Sequence, residues 1–239
     1  MWSGSWNDDK AFTEQHLLAM ADSSSSSSAM RFGGRILYSK TASEVDMRAM
    51  QLLKVLETKT DVSGKAIVGF DIEWKPSRTK GFLPGKAAVV QICVDNDYCH
   101  VMHIFHSGIP QGLKDLIEDS TLVKVGVGID GDSVKLFNDY GVSIKGIEDL
   151  SVLANKKLGG VWKQWGLASL TKTLVCKELL KPNHIRLGNW EAYPLSVIQL
   201  QYAATDAYAS WNLYQVLKDL PDATRFAELG GRSLKVNLL

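Results

Sequence analysis

Four carboxylates embedded in apolar segments set the tightest constraint on how this chain can fold. Asp71 and Glu73 lie in AIVGFDIEW, Asp132 in KVGVGIDGDSVKLF and Asp206 in LQYAATDAYASW. An unpaired anion taken out of water costs several kcal/mol. The apolar neighbours argue for burial, and no equally well-placed set of Lys or Arg accompanies the acids. Buried anions without matching cations imply a bound metal, and with it a fold that gathers these segments around one site.

The order of elements follows from periodicity. Residues 1–42 differ from the rest: an uninterrupted serine run, Ser23 to Ser28, leads into a stretch with Gly33 and Gly34. Such a tract buries too little apolar surface to offset its ordering entropy and is expected to be flexible. Before it, Phe12, Leu17, Leu18 and Met20 line one side of a short helical pattern, read either as a frayed helix or as a docking peptide for a partner protein. From Ser43 to Leu220 a single folded domain is expected, with 221–239 as a C-terminal tail. Val45, Met47, Met50, Leu53 and Val55 predict a helix. AIVGFDIEW, KAAVVQICV and YCHVMHIF predict strands, the last two joined in a hairpin at Asp95-Asn96-Asp97. A helix after Pro110, the strand LVKVGVGI, a helix ending at Gly141, a short strand in SIKGIEDL and a long helix between Pro194 and Leu220 complete the pattern. Hairpin strands followed by alternating strands and helices indicate an α/β sandwich with a mixed sheet.

Residues two apart on a strand share a face, so Asp71 and Glu73 project together while Phe70, Ile72 and Trp74 point the other way, beneath a helix. Like charges about 7 Å apart in a partly dry site repel, so either one carboxyl is protonated or a cation lies between them. A DxE pair is also common on exposed strands; here the apolar flanks argue against a solvent edge. Tyr202 and Asp206 share one helical face with Ala209, Leu213 and Val216, where a carboxylate is out of place. Taken alone, that pair reads as a core tyrosine with Asp206 at the border of a buried stripe. In GIDGD, Asp130 is positioned to cap a helix starting near Gly131, and Asp132 falls in the first turn, on the side of Leu136.

Taken in this order, the three segments resemble the DEDD superfamily of 3′→5′ exonucleases: a DxE on the first strand, an Asp opening a middle helix, and YxxxD near the end. The tyrosine marks the subclass of ribonuclease D and the Werner-type exonucleases. FDIEW, GVGIDGDSVKL, LANKKL, WGLASL, RLGNW and YAATDAYA are similar to the Werner exonuclease domain over roughly Ser43 to Leu220. With no helicase segment following, the stand-alone plant members are the expected relatives. The resemblance implies a ribonuclease H-like α/β fold and two Mg²⁺ or Mn²⁺ ions. It implies that Asp71 bridges both, that Glu73 and Asp206 complete the first site, that Asp132 holds the second through water, and that Tyr202 orients or helps deprotonate the attacking water. It also implies 3′-5′ exonuclease activity on DNA, on duplexes with recessed 3′ ends, and a nuclear location. A ribonuclease D-like trimming of RNA ends and a silent nucleic-acid-binding adaptor on the same fold are the alternatives.

Trp74, Lys75, Arg78 and Lys80 are candidate substrate contacts. The segment KPSRTKGFLPGK leaves the active strand with four cations and no acid, and reads as a mobile connector that is either solvated or in touch with phosphates. Trp74 reads as core packing, with base stacking as the other use. A second basic set, Lys172, Lys177, Lys181 and Arg186, reads as solvated surface, with tracking of a duplex or overhang as the other use. His100, His103 and His106 are not alternately spaced on one strand face, so a shared zinc site is not expected and their placement reads as chance. With 27 basic and 26 acidic residues the net charge is +1, which excludes a strongly basic DNA-coating protein but leaves room for a local basic groove. Three cysteines without a CxxC pair and no targeting or membrane-spanning pattern read as reduced thiols in an intracellular protein, taken as a monomer.

Overall fold

The computed structural model describes residues 28–60, 64–77, 79 and 81–223. Strand β1 (Arg35–Ser39) and helix α1 (Ala42–Glu57) come first. Thr41 opens α1 through a capping box: its hydroxyl accepts from Glu44 N at 3.3 Å, and Glu44 Oε2 accepts from Thr41 N at 3.2 Å, which satisfies two orphan N–H groups at once. β2 (Ala66–Trp74), β3 (Ala87–Cys93) and β4 (Tyr98–Met102) follow. Asp95 makes the turn between the last two, its Oδ1 accepting from Asp97 N and Tyr98 N at 2.9 Å each. Then come α2 (Ile104–Ser107), α3 (Gln111–Glu118), β5 (Leu122–Gly126), α4 (Ile129–Tyr140), β6 (Ile147–Asp149), α5 (Leu150–Leu158) and α6 (Leu167–Leu170), the last running into a π turn over Thr171–Val175. A single turn, α7 (Asn183–Arg186), precedes the 23-residue α8 (Val197–Asp219).

The strands form one mixed sheet in the order β1-β4-β3-β2-β5-β6. β2 lies inside it, antiparallel to β3 and parallel to β5. Strand alternation assigns its two faces. Phe70 and Ile72 pack with Val45, Ala49 and Leu52 of α1 and with Leu113 and Leu116 of α3. The opposite face lies under α8, whose Ala203, Ala204 and Ala207 pack with Val89 and Cys93 of β3. Asp71 and Glu73 therefore emerge beneath α8. This is the expected mixed sheet flanked by helices.

Gly69 decides how close that helix comes. A Cβ there would lie 1.9 Å from Ala207 O and 2.7 Å from Trp211 N. The helix backbone rests directly on the strand, a contact open only to glycine. The small side chains of YAATDAYA allow the same approach along the neighbouring turns.

Two expectations are corrected. Residues 28–42, assigned above to a flexible tail, belong to the fold: β1 pairs in parallel with β4, and Met30 and Phe32 are buried. Phe32 N donates to Thr205 Oγ1 at 3.2 Å, and its ring lies 5.4 Å from that of Tyr208. A five-residue strand beside a serine run shows too little periodicity to be read locally; its burial comes from α8 and β4. The strand expected over YCHVMHIF ends at Met102, and Ile104–Ser107 turns into a helix. The helical pattern around Phe12 to Met20, and most of the C-terminal tail, lie outside the described residues.

The Gly69 contact yields a test. Gly69→Ala should lower stability by about 1–3 kcal/mol, read as a lower midpoint in thermal melts. Gly33→Ala, where nothing lies within 4 Å of the added carbon, should stay within about 0.5 kcal/mol of the parent.

Candidate active site

β2 delivers Asp71 and Glu73 to the α8 face, and α8 lowers Asp206 onto them. Glu73 is 8% exposed and Asp206 2%, and one carboxylate oxygen from each of the three lies within 4.8 Å of the others. Tyr202, one helical turn before Asp206, is also buried. With Asp132, these side chains line a cleft of about 350 Å³, together with Trp74, Lys181 and Arg186.

Asp132 arrives differently from the expected geometry. Asp130 does not cap α4; the N-cap is Gly128 in the left-handed region at φ 75°, and Asp130 is exposed in the first turn. A left-handed cap favours glycine. Asp149 supplies the carboxylate instead, Oδ2 accepting from Gly128 N at 2.6 Å and Oδ1 from Ser151 N at 2.8 Å. It thereby anchors the start of α4 and caps α5. Asp132 lines the cleft but stands outside the three-carboxylate group.

Burial raises every one of these carboxyls. Burial, and then the Asp206 charge, lift Asp71 to about 7. Burial, and then Asp71, lift Asp132 to about 9 and hold Glu73 well above its ordinary range. Burial, and then Asp206, push the Tyr202 phenol far above its usual value. Carboxyls in this state hold protons or cations.

The expectation of no matching cation is corrected here. Lys181 Nζ donates to Asp206 Oδ2 at 2.8 Å and stands 5.9 Å from the Tyr202 ring centroid. It comes from the segment before α7, far from the acids in sequence and adjacent to them only after folding. One ammonium does not neutralise four acids, and Asp206 Oδ1 remains buried with no hydrogen-bond partner among the described residues. An orphaned oxygen amid hard carboxylate donors fits a divalent cation. Among the described residues, this is the cluster of acids, His and Cys that could hold one.

Two of the three histidines read as chance, His103 and His106, are structural fasteners. His103 is fully buried. Its Nε2–H donates to Trp190 O at 3.0 Å, and its Nδ1 accepts from the Tyr38 hydroxyl at 2.8 Å. Tyr38 Oη accepts in turn from Leu195 N at 3.1 Å. Burial lowers the His103 pKa to about 4, keeping it neutral as this relay requires. His106 Nε2–H donates to Glu191 O at 3.0 Å, and Trp190 Nε1–H to Arg186 O at 3.1 Å. Together they hold residues 186–191, which bring Arg186 and Leu187 to the cleft. His100 points to the opposite face of the sheet, as its register against Ile92 requires. No local pattern signals this arrangement, since its partners lie more than sixty positions away.

Of the expected substrate contacts, Trp74 is half-buried, packs against the α1 side of the core and also edges the cleft. Lys135 Nζ sits 5.1 Å from its ring centroid. Lys75 pairs with Glu191 at 3.2 Å. Arg78 and Lys80 lie outside the described residues. From the second basic set, Lys181 and Arg186 reach the cleft while Lys172 stays exposed.

Comparison with known proteins agrees with this geometry. The sequence profile of a family described as 3′-5′ exonuclease matches residues 47–220. An Arabidopsis thaliana 3′-5′ exonuclease is 80% identical over 195 residues, covering 82% of this chain and 67% of that protein. The mouse bifunctional 3′-5′ exonuclease/ATP-dependent helicase WRN is 39% identical over 82% of this chain, which spans 14% of the mouse protein. Among solved structures, Trypanosoma brucei RNase D shares the fold at a TM-score of 0.65 and 20% identity, covering 83% of this chain and 71% of that one. The Aedes aegypti Nibbler EXO domain does so at 0.64 and 18%, covering 84% and 99%.

Two outcomes are expected. A carboxyl whose folded pKa is raised binds its proton more tightly in the fold, so its contribution is lost as pH rises. Protein stripped of divalent ions should therefore lose stability as pH climbs from the ordinary 3.8 through about 7 and about 9. The rise in Tm on adding Mg²⁺ or Mn²⁺ should be larger above about pH 8 than below about pH 6, which differential scanning fluorimetry would measure. His103→Phe keeps a ring but removes both hydrogen bonds, and should cost about 2–4 kcal/mol in chemical denaturation.

Proposed function

Because the chain belongs to the 3′-5′ exonuclease family, we propose that it releases nucleoside 5′-monophosphates from DNA 3′ ends, acting on duplexes with recessed 3′ ends. The observation that carries this reading is the convergence of Asp71, Glu73 and Asp206 within 4.8 Å, with Asp132 and Tyr202 in the same cleft. In this proposal Asp71, Glu73 and Asp206 would hold one Mg²⁺ or Mn²⁺, and Asp132, with Asp71, would help to hold a second. Divalent cations so held supply Lewis acidity to the scissile phosphate and acidify a coordinated water. Tyr202, with its phenol pushed far above the usual range, is no base; its hydroxyl orients the attacking water by hydrogen bonding. Lys181 and Arg186 place positive charge where a phosphodiester would enter, and are the cations we assign to the DNA backbone.

The DNA preference draws on the two relatives at 80% and 39% identity, the second a helicase-linked exonuclease. We extend it to a role in DNA repair, a nuclear location and a monomeric state, with residues 1–27 as a contact for a protein partner. Among the described residues no helix is long and apolar enough to cross a membrane. RNA trimming is the second reading, since T. brucei RNase D, solved in complex with RNA U12, shares the fold at 19% identity.

The test is a primer digestion with separate 3′ and 5′ labels, on matched DNA and RNA, with and without chelator. Loss of the 3′ label as mononucleotide while the 5′ label shortens stepwise, on DNA and only without chelator, is expected. Faster digestion of RNA would select the second reading. Asp71→Ala and Asp206→Ala should each cut the rate by about a thousandfold with thermal melts still cooperative, and unchanged digestion by either would overturn the assignment.

A further inference from the structure

Beyond the carboxylates the cleft opens into a second groove of about 520 Å³. Pro76 and Leu187 line both, so the two adjoin. One wall is the connection from β2 to β3, the other the segment 187–191 that the histidines fasten. The first wall was expected to be a mobile connector, yet its neck is closed. Gly85 N donates to Lys75 O at 2.9 Å, and Lys135 Nζ donates to Gly85 O at 2.8 Å. A Cβ on Gly85 would stand 2.6 Å from Glu191 Oε1, and Lys75 Nζ reaches Glu191 Oε2 at 3.2 Å, so the walls meet at this point.

Past the neck, two large apolar side chains project into solvent, Phe82 at 72% exposure and Leu83 at 91%. Both line the groove. Among the described residues, its charged groups are Lys75 and Glu191, which neutralise each other, and its other polar lining is uncharged: Ser77, Thr79 and Asn189. Such a surface suits the faces and edges of nucleobases better than phosphates, whose cations stand in the adjoining cleft as Lys181 and Arg186.

We propose that this groove receives the bases of the DNA end and that Phe82 and Leu83 act as a wedge separating the terminal base pair. The proposal rests on the duplex reading above. Glu73 and Asp206, 8% and 2% exposed, lie deep in the cleft, and in this proposal the end opens before its phosphate reaches them. Opening costs unstacking and unpairing energy, which apolar side chains set against the exposed base faces offset. The closed neck fixes the tip relative to the active strand, so an opened 3′ nucleotide is directed toward Asp71 and Glu73 rather than released. Phe82 supplies the ring for stacking, and Leu83 the bulk that blocks re-pairing.

The test compares the intact chain with a Phe82→Ser/Leu83→Ser double variant on two recessed-end duplexes, one fully matched and one with its last three 3′ nucleotides mismatched. The variant should digest the matched end about tenfold more slowly or worse and the mismatched end within about twofold of the parent. A Phe82→Tyr/Leu83→Met variant should keep both rates. Equal losses on the two duplexes would overturn the wedge, since the tip would then serve binding or folding, as would unchanged rates on both. Parent protein that spares matched ends while digesting mismatched ones would sink the duplex reading itself, and the wedge with it, before any substitution is made.

Discussion

With no side chain at Gly69, Ala207 O and Trp211 N of α8 come to rest where a Cβ would overlap them. The site depends on this contact. It brings Asp206 down to Asp71 and Glu73 with oxygens within 4.8 Å, and that proximity creates a repulsion that protons or cations relieve. A helix seated one side chain further out would leave Asp206 as a border residue of a buried stripe. Packing of two backbones thus converts three unremarkable acids into a cluster that could hold a metal ion. The opposite face of β2, where Phe70 and Ile72 meet α1 and α3, keeps the strand from giving way.

Around that centre the structure fixes its surroundings by hydrogen bonds more than by surface charge. His103 joins Tyr38 and Trp190, and His106 holds Glu191, so a segment without regular structure becomes a wall. Asp149 performs the same service at the start of α4, bonding Gly128 so that Asp132 faces the cleft. These partners are neutral, or acceptors of backbone N–H groups, and need no counter-ion. The carboxylates are the reverse case: their lone pairs are left open toward the cleft, and Lys181 satisfies one of them.

Legibility in the sequence followed the range of the interaction. β2, α4 and α8 were readable because apolar periodicity is a property of neighbours, and the shared face of Asp71 and Glu73 follows from a period of two. β1 was not, because five residues following Gly33 and Gly34 carry no pattern of their own; pairing with β4 makes them a strand. Asp130 was misread as a cap because Asp is favoured there in general, whereas the chain enters α4 through a left-handed Gly128 that takes its hydrogen bond from Asp149. Lys181 and the histidines gave no local sign of these contacts: one stood in a run of cations readable as solvated surface or as a duplex track, and His103 and His106 met their backbone acceptors only when residues 190 and 191 returned to them.

By itself, then, the sequence determined which acids would be buried and on which faces of their elements they would stand, since both follow from local apolar context and backbone period. It determined the mixed α/β architecture for the same reason. Tertiary structure alone decided how close those faces come, which lysine stands among the acids, and which segments wall the cleft. These outcomes are set by contacts between residues separated by tens to more than a hundred positions, such as Gly69 with Ala207 and Asp71 with Asp206, and no local pattern encodes a distance between elements that meet only in the folded chain.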